Sequence, residues 1–312
     1  MFFWRKKTKD NDSNIYPEIV SLKLKEQLEK QIEILRQVGI LTTLKDGISE
    51  GIMGIDDKEY KIPTLEYVLK RVEEKKELIK NKIQQGFTKI ILVPFACPLE
   101  NIIKKYEEVL IKHNNAGILL ATKGDISDKD EKLELSLDNP LNVWNEYKDA
   151  DIKNTFVYLP EIYDKENHKG RTKTEILMDS NNSWQIFLIE DMPNIPLENS
   201  GKKINHRKQL ETNQTPIEYL KILQSDKTYQ GEEGFNLEAE LVYAMTCLEE
   251  KNQVINDWQG KGNLAYELGV FFVPSASLPW FGWNRDFKRA DLWKFDITNK
   301  DMHVGARVGV RI

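Results

Sequence analysis

The run Lys89-Ile-Ile-Leu-Val-Pro-Phe95 constrains the fold of this chain more than any other segment. Four aliphatic residues in a row, with no polar residue between them, suit a strand buried on both faces and not a half-solvated one. A turn at Ala96-Cys97-Pro98 then leads into a helix from about Leu99 to His113, with Pro98 at a favoured first-turn position. Gly117-Ile-Leu-Leu-Ala121 reads as a second buried strand. Strand, helix and strand in that order predict a βαβ unit with a right-handed crossover.

Helical periodicity frames this segment. Leu24, Leu28, Gln31, Leu35 and Val38 recur at spacings of four or three behind Pro17, and Gly39 stops the pattern. Thr64 is a plausible N-cap for a second helix, whose stripe runs from Leu65 to Ile83 before Gly86. Two further strands are expected at Thr155–Leu159 and Trp184–Ile189. Residues 123–151 are acidic and irregular, and 164–173 form a polar loop. Pro193, Pro196 and Gly201 mark a domain boundary between Met192 and Thr212. Thr215-Pro216 opens another helix, and Asn236 caps one that runs to about Lys251. From Gly260 onward β-like pieces appear at 270–273, 290–297 and 304–312, and Pro279-Trp-Phe-Gly282 reads as a turn. The expected class is α+β: N-terminal helices with a small mixed α/β sheet, then a helix pair and a β-rich C-terminal module. The expected parts are a flexible N-terminus at 1–16, an α/β domain at 17–200, and a helical hairpin plus β-rich module at 201–312.

The chain has 312 residues, 40% hydrophobic and 30% charged, which describes a soluble globular protein. No run approaches the ~18 apolar residues of a spanning helix. Net charge is −5, so nucleic-acid binding, which calls for a basic excess, is not expected. Cys97 and Cys247 are the only cysteines, and His113, His168, His206 and His303 are scattered, so no disulfide framework, metal site or cofactor is expected. At the start, Met1-Phe-Phe-Trp-Arg-Lys-Lys7 reverses the order of a secretory signal, which leaves the cytoplasm as the expected location.

Three places could carry chemistry. Cys97 falls where a buried strand turns into a helix start, an environment that lowers a thiol pKa if a base stands nearby. A buried structural cysteine is the commoner occupant of such a position, and no motif supplies the base. Glu190-Asp191 ends a strand, where ligands of open α/β sheets gather, although neighbours on a strand point to opposite faces. Asp257 is a similar lone acid. Neither GxxxxGK[ST] nor GxGxxG occurs, and Gly201-Lys-Lys203 has no strand before it, so nucleotide use is disfavoured.

The tail has the most distinctive composition. Trp258, Trp280, Trp283 and Trp293, four of the seven tryptophans, lie in the last 55 residues with Arg285, Arg289, Arg307 and Arg311, four of the nine arginines. These residue types dominate binding hot spots and stack as cation–π pairs. They also serve as core and as ties between loops and carboxylates. Phe272, Ser275, Ser277, Trp283-Asn-Arg285, Ala290-Asp-Leu292, Gly305-Ala-Arg307 and Val310-Arg311 together resemble the closing segment of C-type-lectin-like domains of the formylglycine-generating-enzyme kind. The match spans about 40 residues, and that family's catalytic cysteines have no counterpart in this tail. The resemblance implies a binding domain without formylglycine chemistry.

The leading expectation is therefore a non-enzymatic binding protein that recognises a protein or small ligand through Trp280, Trp283, Arg285, Arg289 and Trp293. Alternation along Asp291–Asp296 sets Leu292, Lys294 and Asp296 opposite Trp293 and Phe295, with either face free to be the outer one. The alternatives are an α/β enzyme using Cys97 or Glu190 and Asp191, and a structural subunit of a larger assembly.

Overall fold

A computed structural model describes residues 12–125, 127–179, 182–192 and 194–312. Helix α1 (Asp12–Gln37) comes first, so it opens before Pro17; the expected loose N-terminus lies outside the described residues as far as residue 11. A small sheet of β1 (Thr42–Thr43), β2 (Glu50–Met53) and β3 (Glu59–Lys61) follows. The long helix expected after Thr64 is two, α2 (Leu65–Glu74) and α3 (Lys76–Gln84), broken at Lys75. Thr64 caps the first, accepting from the Tyr67 N–H at 3.2 Å. Lys75 departs from helical geometry, and its ammonium donates to the Arg311 carbonyl at 2.7 Å.

Strand β4 (Phe87–Val93) and helix α4 (Leu99–Asn115) occur where the apolar run predicts them. The expected βαβ unit does not. Gly117 takes a positive φ, and Leu120 makes only isolated bridges, to Lys132 and to Gln253. Among the described residues β4 pairs solely with β7 (Gln185–Glu190), antiparallel. Its other edge is covered by α1. The Gln27 side chain accepts from the Ile90 N–H at 2.7 Å and donates to the Thr88 carbonyl at 2.9 Å, and Gln31 accepts from the Leu92 N–H at 3.4 Å. Glutamine on an apolar stripe is thus explained by an edge strand whose backbone groups need partners.

Between α4 and β7 lie β5 (Leu141–Val143), β6 (Phe156–Tyr158) and α5 (Lys173–Leu177). Strands β8 (Lys203–Ile204) and β9 (Arg207–Lys208) form a hairpin whose turn residues, Asn205 and His206, both carry positive φ, as a two-residue turn of type I′ requires. Helix α6 (Pro216–Ser225) starts with a capping box of Thr215 and Glu218. After β10 (Glu233–Gly234) comes α7 (Leu237–Lys251), N-capped by Asn236 and ended by Asn252 in the left-handed region. The remainder is β11 (Asp257–Trp258), β12 (Leu264–Tyr266), β13 (Val270–Phe272), β14 (Ser277–Asn284), β15 (Arg289–Asp296), β16 (Val304–Ala306) and β17 (Val308–Arg311).

The protein is α+β, with two principal sheets. The smaller is antiparallel throughout, in the order β10-β17-β7-β4. The larger has eight strands and is mixed; β14 is its centre, pairing β15 along one side and β11, β12 and β13 along the other. The segment read as a Pro-Trp-Phe-Gly turn is therefore the middle of a strand. Gly282 is required there because a Cβ would stand 2.7 Å from the Asn256 carbonyl oxygen. Helix α7 is buried at every residue from Leu237 to Leu248. It packs on α4, α1 and β4.

Strand pairing crosses the expected boundary, since β17 pairs β7, and one apolar cluster holds residues from both sides of it. No helix among the described residues is long and apolar enough to cross a membrane.

Replacing Gln27 with Ala leaves the Ile90 N–H and the Thr88 carbonyl on the open edge of β4. A loss of about 1–2 kcal/mol is expected, measured by urea unfolding, with no change in secondary structure.

Candidate functional site

The β14–β15 hairpin carries all five residues expected to form a recognition surface, and its register distributes them. Trp280 lies opposite Trp293, Phe281 opposite Leu292, Trp283 opposite Ala290, and Asn284 opposite Arg289. Directly opposed residues share a face. Trp280, Trp293 and Arg289 are therefore together, while Trp283 stands on the other face with Phe281 and Leu292. The face with Trp283 is the inner one: Leu292 and Phe281 are fully buried, Trp283 is only 1% exposed, and Phe281 packs edge-on against Tyr106 of α4 at 5.4 Å. Trp280, Trp293 and Phe295 are half-buried.

Trp144, just after β5, joins the outer group. Its ring meets Trp293 edge to face at 4.7 Å, and the Lys294 ammonium lies 4.2 Å above it. Its indole N–H donates to Glu146 at 2.9 Å. Sequence reasoning missed Trp144 because the partnership arises from the parallel pairing of β5 with β15, which nothing local announces.

The four arginines of the tail are each held by carboxylates. Arg285 donates to Asp257 at 2.8 and 2.7 Å and to Glu131 at 2.6 Å. Arg289 donates to Asp291 at 2.9 Å and stacks on Phe287. Arg311 donates to Glu233 at 2.6 Å. Arg307 is the single residue between β16 and β17, where the chain steps from the larger sheet to the smaller. It donates to Glu240 at 3.1 Å and to Asn256 at 2.7 Å, and it stacks on Tyr243. Arg285 and Arg289 therefore serve as ties within the hairpin and its surroundings. At the hairpin tip Trp283, Arg285 and Lys288 do line a cleft of about 280 Å³ with Lys132, Leu133 and Glu134.

The three candidates for chemistry are separated. Cys97 is buried, and burial pushes its thiol up to about 11, with the Lys173 ammonium only partly opposing. A thiol so placed is a poor nucleophile at neutral pH. Glu190 and Asp191 diverge, as strand alternation requires. Glu190 receives Arg207 at 3.0 Å and Gln209 at 3.3 Å, and burial nevertheless raises its pKa. Asp191 lies among Lys89, Lys251 and Tyr243; burial works against its charge, but the two ammonium groups hold the carboxyl below its usual range. The cavity beside Glu190, lined also by Asn194, Arg207, Gln209 and Arg307, measures about 30 Å³. At ~10–15 Å³ per water that is room for about two waters and not for a substrate. Asp257 is buried under Arg285. No group of three or more His, Cys, Asp or Glu among the described residues is placed to hold a metal.

One constellation lies outside every sequence expectation. Lys173 of α5, completely buried, bridges Asp151 at 2.7 Å and Glu238 at 2.6 Å, and the Tyr158 hydroxyl also donates to Glu238, at 2.7 Å. Next to this, Glu240 takes Arg307 and Asn256. Burial works against the charges of Lys173 and Arg307, but their carboxylates more than offset it and raise both pKa values. The signal was present in Leu237-Glu-Ala-Glu-Leu-Val-Tyr-Ala-Met-Thr-Cys-Leu248, a largely apolar helix whose only charged residues are two glutamates.

Native protein treated with iodoacetamide near neutral pH is expected to leave Cys97 unmodified, with labelling only after unfolding. Rapid modification of the folded protein would return Cys97 to the list of nucleophiles. No protein-family model, curated protein or solved structure matches this chain.

Proposed function

We propose that this chain is a non-enzymatic binding protein whose recognition surface is the outer face of the β14–β15 hairpin. Its contact residues are Trp280 and Trp293, extended by Trp144, whose ring the Lys294 ammonium reaches from the other side of β15, and its partner is a protein or small ligand presenting apolar surface. The observation that carries this reading is the group of three half-buried indoles, of which Trp144 and Trp280 also rest against the apolar core while each keeps part of its ring in solvent. Partly exposed tryptophans with a cation beside them supply large contact area at little loss of side-chain freedom. The arginines support the face from within: Arg289 is fixed by Asp291, which also accepts from Asn142 at 3.1 Å and Asn284 at 2.8 Å. The resemblance of residues 272–312 to a C-type-lectin-like closing segment agrees with a binding role. A cytoplasmic location fits two cysteines that are both free and buried.

The two faces of the hairpin are expected to behave differently on mutation. Trp283→Ala empties a core position and costs about 3–5 kcal/mol. Trp293→Ser leaves stability within about 1 kcal/mol while abolishing capture of the partner that immobilised wild-type protein retains. A folded Trp293→Ser, Trp144→Ser double variant that captures the same partner as strongly as wild type would overturn the reading.

A further inference from the structure

Glu267 follows β12 in the turn that leads to β13 and is fully buried. The backbone of the turn is well held. The Glu267 N–H donates to the Pro279 carbonyl at 3.0 Å, the Gly269 N–H to Phe235 at 2.7 Å, and the Leu159 N–H to the Gly269 carbonyl at 2.9 Å. Gly269 sits so close to the chain leaving β10 that a Cβ would stand 2.4 Å from the Gly234 carbonyl oxygen. The side chain is the opposite case: neither carboxyl oxygen of Glu267 has a hydrogen-bond partner among the described residues.

Its charged neighbours explain what such a group must do. Glu240 and Glu238 face it from α7, and Arg307 faces it from between β16 and β17. Behind them Lys173 joins Glu238 to Asp151. Two cations, Lys173 and Arg307, thus serve three acids, Asp151, Glu238 and Glu240, before Glu267 is counted. One further buried negative charge without a donor would be strongly disfavoured, because nothing there replaces the water it gives up. Among the described residues one oxygen of Glu238 also lacks a donor, while both oxygens of Glu240 lie 3.1 Å from the Arg307 guanidinium, so the cluster has more acceptors than hydrogens to share. Burial, then Glu240, pushes the Glu267 carboxyl well above its usual range, and Arg307 opposes this only in part.

We propose that Glu267 keeps its proton in the native protein at neutral pH and acts as a proton-operated latch on the β12–β13 turn. With the proton in place the side chain stays seated beneath α7; when the proton leaves, Glu267 moves to water and carries Leu268 and Gly269 off Phe235. The direction follows from linkage. In the open turn the carboxyl meets water and titrates near ~4.3, whereas in the closed turn it titrates higher. Closure is therefore most favourable below the open-state pKa and weakens as pH rises towards the closed-state pKa. Within that window the opening equilibrium grows about tenfold per pH unit.

Native-state hydrogen exchange at Gly269 and Leu159, corrected for intrinsic exchange, tests this in the full-length protein. From pH 5 to pH 7 the opening constant of wild type is expected to rise about 100-fold, and that of Glu267→Gln to stay flat. Equal pH dependence in the two proteins would overturn the proposal. A second measurement needs no variant: the assigned Glu267 carboxyl carbon, followed by NMR, is expected to report the protonated form at pH 7, and an ionised signal there would also overturn it.

Discussion

Burying α7 on all sides from Leu237 to Leu248 forces the two carboxylates of that stretch, Glu238 and Glu240, to find cations inside the protein. Lys173 comes from α5, and Arg307 from the one-residue step between the two principal sheets. Each ion pair therefore fixes an element as well as a charge. Arg307 in particular pins the place where β16 leaves the larger sheet and β17 enters the smaller. Removing one partner of such a pair would strand the other in a medium that solvates it poorly. The supporting hydrogen bonds from Asn256 to Glu240 and from Tyr158 to Glu238 satisfy part of what water would otherwise supply.

The same constraint recasts the composition of the tail. Crowded tryptophan and arginine suggest a surface made to meet another molecule, yet the four arginines answer to internal acids and Trp283 to the core. Only the register of β14 with β15 sorts the indoles into one buried and two half-buried. Alternation along β15 was legible in the sequence, and it correctly opposes Leu292 to Trp293. Which side faces inward was not, because that depends on α4 packing beneath Phe281.

Local signals carried furthest where the physics is local. Thr64, Thr215 and Asn236 cap helices because each side chain bonds to a backbone N–H three residues on. The strands around Phe156, Ile186, Phe271 and Leu292 likewise declare themselves through dense apolar content. What failed was non-local. Pro279 and Gly282 look like breakers, but Gly282 answers the close approach of Asn256, which no window of sequence contains. Gly117–Ala121 resembles a sheet strand, yet its backbone is taken up by Asn252 and Glu131. Pro196 and Gly201 do fall outside helices and strands, but the β8–β9 hairpin follows them, and β17 pairs back to β7 across the segment. Gln31 sat plainly on an apolar stripe, and its reason, the uncovered edge of β4, appears only when the two elements meet.

The account stands on the claim that arginine from the tail is spent on the carboxylates of the central helix. A double-mutant cycle of Glu240→Gln and Arg307→Met, read by chemical denaturation, measures that link most directly. A coupling of about 1–3 kcal/mol is predicted, as for residues sharing one buried network. Losses that simply add, with no coupling, would contradict it.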